Sequence, residues 1–130
     1  MNANPIFVYG TLRKGGSNHF RMEGSEFVGV GRISGQMHRI DWYPVLVCGG
    51  DSFVKGELYL VSAENLVALD VFEGITPDAD QPREYRRVKA TVTLESGESM
   101  DAWVWEWAGG LVDAEPLDGE DWLAYEPNPS

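Results

Sequence analysis

Ile6-Phe7-Val8-Tyr9-Gly10-Thr11-Leu12-Arg13-Lys14-Gly15-Gly16-Ser17-Asn18-His19 is the stretch whose reading decides the fold. Its apolar, aromatic and β-branched opening, Ile6 to Tyr9, predicts a short strand that stops at Gly10. A polar, glycine-rich turn follows, and Ser17 to about Met22 suits a short helix with Ser17 as its N-cap. Glycine at a strand end lets the chain turn with successive N–H groups exposed, and such groups form a nest for an anion. The spacing from Gly10 to Gly15 is nearly that of a P-loop, but Gly16 stands where the phosphate-binding lysine must be. Lys14 comes two residues early, so a nucleoside triphosphate site is not expected. A backbone-amide site for a carboxylate or an oxyanion stays open. The plainer reading, a tight connection with no ligand, is slightly favoured by this stretch taken alone.

The chain around that loop is one domain's worth, 130 residues, and is read as a single domain over 1–130. A formal net charge of −11 argues against nucleic acid and against anionic membrane surfaces as partners. Cys48, the only cysteine, allows no intrachain disulfide. It lies in the apolar run Pro44 to Cys48, where a buried, inert thiol is expected rather than a nucleophile. No apolar run reaches membrane-spanning length and no signal peptide is evident, so a cytoplasmic protein is expected. One cysteine and two histidines cannot close a structural zinc site, and neither a metal nor a cofactor is expected.

Strands are expected over Phe27–Ile33 and Gln36–Ile40, separated by a Ser34-Gly35 turn; Trp42-Tyr43-Pro44 breaks the second and leads into Val45-Leu46-Val47. Cys48 to Ser52 reads as a turn, and Phe53 to Val61 as the clearest strand. That strand sets Val54, Gly56, Leu58 and Leu60 on one face and Phe53, Lys55, Glu57 and Tyr59 on the other. Glu57 beside Lys55 is expected to be solvated. Ser62 should cap a helix over Ala63–Phe72, with Gly74 placed to end it. Leu66, Leu69 and Glu73 share a face at i, i+3 and i+7, with Asp70 at its edge, so helix periodicity turns Glu73 inward. Residues 75 to 83 read as a loop. Tyr85–Leu94 and Ser99–Trp107 form a hairpin about Glu95–Glu98, with Trp103, Trp105 and Trp107 on one face. Such a stripe can be a stacking platform, though at this spacing it more often packs under a helix. A last helix-like segment, Asp118 to Tyr125, follows in the acidic tail. The expected class is α+β, mainly β: a small mixed β-barrel with one or two flanking short helices.

The residues, taken together, resemble the gamma-glutamylcyclotransferase-like family, and the pattern is nearest its bacterial and gamma-glutamylamine cyclotransferase-like branch. The resemblance rests on Tyr9-Gly10-Thr11-Leu12, Tyr43-Pro44, Val54-Lys55-Gly56-Glu57-Leu58-Tyr59, Leu69-Asp70-Val71-Phe72-Glu73-Gly74, Tyr85-Arg86-Arg87, Ala102-Trp103-Val104-Trp105 and Gly119-Glu120-Asp121-Trp122, in the family's order. It implies a reaction in which the α-amine of a γ-glutamyl group attacks its own γ-carbonyl. The products are 5-oxoproline and a free amine or amino acid. It implies Glu73 as general acid/base, and the backbone N–H groups of Gly10, Thr11 and Leu12 as the cradle for the substrate carboxylate and oxyanion. Tyr9 and Tyr85 match pocket residues. Arg13 and Lys14 are left either to a substrate carboxylate or to solvent. The expected partner is a small γ-glutamyl substrate, and the protein itself is expected as a monomer or weak homodimer. The negative charge mildly favours a cationic leaving amine. A rival from another class is a non-catalytic ligand-binding or interaction domain on the same barrel, using the tryptophan stripe.

Overall fold

β1 (Asn4–Val8) sits between two partners, antiparallel β3 (Tyr43–Val61) and parallel β5 (Ser99–Trp107). The computed structural model describes residues 3–10, 12–14, 19–40, 43–72, 85–107 and 115–116. Around the sheet the order is β3, β1, β5, β4 (Tyr85–Leu94), β2 (Glu26–Ile40), and pairing of β2 with β3 closes five strands into a barrel. A two-residue strand, β6 (Glu115–Pro116), adds to the far end of β2 at His38 and Arg39. The expected mixed β-barrel is therefore the architecture found. Among the described residues one α-helix flanks it, α1 (Ala63–Phe72), with a single 3₁₀ turn at His19–Met22. No described helix is long and apolar enough to cross a membrane.

Two apolar layers follow from strand alternation. Phe7, Tyr9, Ile33, Met37, Leu46, Val54, Leu58, Val92, Ala102 and Val104 fill the barrel. On the outer side Ile6, Val8, Tyr59, Val61 and Trp105 pack under Leu66 and Leu69 of α1. Ser62 caps that helix as expected: its Oγ accepts the Asn65 N–H at 3.1 Å and its carbonyl accepts the Leu66 N–H at 2.9 Å. The 95–98 hairpin also forms as expected, with Gly97 at φ 94° and the Leu94 N–H donating to the Glu98 carbonyl at 2.8 Å.

Two turns read from the sequence are not chain reversals. β2 runs unbroken through Ser34 and Gly35, and β3 through Cys48 to Ser52. Ser34 pairs with Phe53 and Gly35 with Cys48, so residues 49–52 leave the ladder as an excursion on β3. Gly49 and Gly50, at φ 95° and 88°, supply the left-handed backbone, and Ser34 Oγ donates to the Gly50 carbonyl at 2.7 Å. The turn chemistry was real; it serves a large bulge. The expected helix over Asp118–Tyr125, and the 75–83 loop, lie outside the described residues.

Candidate active site

The loop leaves β1 at Val8, which pairs with Glu57 of β3. A tight turn opens it, with the Arg13 N–H donating to the Gly10 carbonyl at 3.1 Å. Leu12 buries its side chain in the layer under α1. The Leu12 carbonyl accepts from His19 Nδ1 at 2.9 Å, which requires the proton on Nδ1. Met22 buries the other end of the 3₁₀ turn.

Glu57 departs most from expectation. Its strand face is covered by the returning loop, and the residue is only 5% exposed. Oε1 accepts the Lys14 N–H at 2.8 Å and the Tyr59 hydroxyl at 2.8 Å, while Oε2 lies 3.3 Å from Arg13 Nε. Arg13 is likewise buried, so neither residue is solvated as the alternation suggested. Burial, then the adjoining Glu57 carboxylate, pushes the Tyr59 phenol above its ordinary range, which keeps it a donor. The Arg13 and Lys14 amides are thus already committed, to the Gly10 carbonyl and the Glu57 carboxylate. Of the residues expected to form an anion cradle, Gly10 and Leu12 are described and Thr11 lies outside the described residues.

Trp105 joins the other expected site residues. Tyr9 Oη donates to its carbonyl at 2.9 Å, and Leu12 and Tyr85 belong to the apolar layer around its ring. Its indole Nε1 donates to Asp70 Oδ1 at 2.8 Å, and Arg87 Nε stands 3.2 Å from the same oxygen. Tyr85 also meets Trp107 edge to face, centroids 5.3 Å apart. The tryptophan stripe is therefore structural: Trp105 and Trp107 are buried, and Arg87 and Lys89 lie over the Trp103 ring at 4.6 and 4.8 Å. Glu73, the expected proton-transfer residue, lies outside the described residues; α1 as described ends at Phe72.

Glu106 is a second buried carboxylate that the sequence reading passed over. It continues the inward alternation of Ala102 and Val104, and its oxygens accept the Cys48 N–H at 2.7 Å and Arg86 Nε at 2.9 Å. Burial opposes its charge, but the Cys48 amide and the Arg86 guanidinium together outweigh it and hold the carboxyl below its usual range. With both oxygens engaged and its basicity reduced, Glu106 ties β3, β4 and β5 together and is poorly suited to accept a proton. The same carboxylate helps raise the Cys48 thiol, after burial, to about 12. So little thiolate exists at neutral pH that native alkylation should be slow, and Cys48→Ala should keep full turnover. A folded Cys48→Ala protein without activity would instead identify a cysteine nucleophile.

Among the described residues no three His, Cys, Asp or Glu side chains gather where they could hold a metal ion. A surface depression of about 280 Å³ lined by Glu23, Gly24, Ser62, Glu64, Asn65 and Ala68 lies at the start of α1, and its two carboxylates make it unsuited to an anionic ligand.

Residues 6–124 match the family model described as gamma-glutamyl cyclotransferase, AIG2-like. MJ1514 of Methanocaldococcus jannaschii, whose name assigns it provisionally to the gamma-glutamylcyclotransferases, is 34% identical over 115 residues, 84% of this chain and 91% of its own. A gamma-glutamylaminecyclotransferase of Bos taurus is 32% identical over 104 residues, 70% of this chain and 57% of its own. Among solved structures, a mouse AIG2-like protein superposes with a TM-score of 0.72 at 28% identity, covering 100% of this chain and 98% of the other.

Proposed function

The chain belongs to the gamma-glutamyl cyclotransferase, AIG2-like family, and on that premise we propose that it cyclises γ-glutamyl amines or peptides. The substrate's α-amine nitrogen attacks its own γ-carbonyl carbon, the bond to the leaving nitrogen breaks, and 5-oxoproline departs with a free amine. The observation that supports this most is the meeting at Trp105. Its carbonyl holds Tyr9, beside the loop, while its indole holds Asp70, three residues before Glu73. One residue, through its backbone carbonyl and its indole, thus links the proposed amide cradle to the helix that leads to the proposed base.

The attack is intramolecular, so holding the γ-glutamyl chain folded supplies much of the acceleration. Amides of Gly10, Thr11 and Leu12 bind the substrate carboxylate or the oxyanion that develops on the γ-carbonyl oxygen. Glu73 takes a proton from the attacking nitrogen and returns one to the leaving amine. Asp70, three residues before Glu73, has its carboxylate met by Arg87 Nε at 3.2 Å.

The test is incubation of the purified protein with a panel of γ-glutamyl amines and dipeptides, read for 5-oxoproline by mass spectrometry. Cationic amines are expected to be released fastest. Silence across the panel, with no thermal shift from 5-oxoproline, would favour a non-catalytic barrel.

A further inference from the structure

Among the described residues of the loop that follows β1, Leu12 is the one buried apolar anchor. Glycines stand on either side of it in the sequence, and glycine by itself does little to fix a backbone. A glycine-rich loop of this kind must be held from outside if its amides are to stand ready before a ligand arrives. Groups outside the loop that hold its described residues include His19, at the Leu12 carbonyl, and Glu57, at Arg13 and Lys14.

The two holds are unequal. An imidazole N–H donating to a carbonyl is an ordinary hydrogen bond, whereas a backbone amide bonding a buried carboxylate is of the stronger, charge-assisted kind. Within the Glu57 cluster, 2.8 Å to the Lys14 amide is short, and 3.3 Å to Arg13 Nε is long for a charged pair. The amide bond is thus the principal tie, and Arg13 chiefly balances the buried charge. Tyr59 braces the carboxylate from behind, and its own ring is fixed against Phe27, centroids 5.4 Å apart. Glu57 sits mid-strand, paired with Val8 on one side and Val30 on the other, so its backbone is a rigid base.

We propose that Glu57 is a positioning residue for the signature loop, holding it from the Lys14 amide so that the amides before Arg13 are preset for an anionic group of the substrate. The proposal rests on the reading of that loop as the substrate cradle. Glu57 handles no proton in the reaction, since its oxygens already serve the loop, Tyr59 and Arg13. Its contribution is the ordering that substrate would otherwise have to impose, so its loss falls mainly on binding.

Glu57→Gln keeps the shape and an acceptor while removing the charge, and Tyr59→Phe removes only the brace. Hydrogen–deuterium exchange on the intact chain should show the Leu12 to Lys14 amides of Glu57→Gln exchanging about tenfold faster or more, with β5 unchanged. Tyr59→Phe should give a smaller rise in the same amides. On a substrate found in the panel, KM should rise about tenfold or more, kcat should fall by less than about threefold, and the acid limb of the pH profile should stay in place. Wild-type loop exchange in Glu57→Gln would overturn the proposal, as would a loss concentrated in kcat with a displaced acid limb. If unmodified protein turns over nothing in the panel, the catalytic reading fails by itself, and loop exchange still decides whether Glu57 is the lock.

Discussion

Glu73→Gln is expected to lower turnover by about 10²–10⁴-fold, the range that general acid–base catalysis ordinarily contributes. The substitution keeps size and hydrogen-bonding capacity but removes the proposed base. Its warrant is periodicity checked as far as the helix is described. Leu66 and Leu69 are buried at 8% and 1% exposure, and the same spacing continued one turn selects Glu73. Stability should hold or rise, because a neutral amide is cheaper to bury than a carboxylate. 5-Oxoproline should still bind, since the loop is untouched. Single-turnover measurements separate the two effects: wild-type chemistry in Glu73→Gln would sink the proposed mechanism while leaving the fold intact.

Gly56→Ala should produce the largest loss of stability. A Cβ at this position would collide with the Val8 carbonyl oxygen and stand 2.5 Å from the Phe7 ring. Neither neighbour can yield easily, because β1 is held on both sides and Phe7 is wholly buried. Overpacking of a tight core costs about 1–3 kcal/mol and more where backbone is struck, so a figure near the top is expected. For a domain of this size that is a fall in melting temperature of roughly 10 °C. Gly29→Ala is the control, since its Cβ would meet only Leu94 Cδ2 at an ordinary 3.6 Å. Equal melting temperatures for the two variants would show that β1 and β3 can move apart.

Strand alternation, helix capping and the hairpin glycine were legible in the sequence because each is a local rule. Val54, Leu58, Val92, Ala102 and Val104 all turn inward as the period of two requires. Cys48 to Ser52 was misread because glycine signals a left-handed backbone without saying whether the chain reverses or only bulges. Glu57 was misread for a related reason. Alternation assigns a residue to a face but not what lies over that face, and here the cover is a loop more than forty residues away in sequence, bringing Arg13 and the Lys14 amide. Tyr59, aromatic and two residues on, was the available signal that this face is not solvent. Leu12, Tyr9 and Tyr85 were nominated by resemblance. Their meeting at Trp105 depends on β1 lying beside β5, which no local pattern encodes.

That parallel pairing also governs how the protein can be made. β1 emerges first from the ribosome, and β2 and β3 can zip together and take it up soon after, leaving one flank of β1 unpaired. The strand that covers this flank spans Ser99–Trp107, so synthesis must pass all the other barrel strands before Ile6 meets Trp103. Until then the nascent protein carries an open, apolar edge at Ile6, Phe7 and Val8, the sort of edge that recruits other strands. Closure at Trp103 is thus a late, long-range event, and the interval before it is when this sequence is most dependent on dilution or a chaperone.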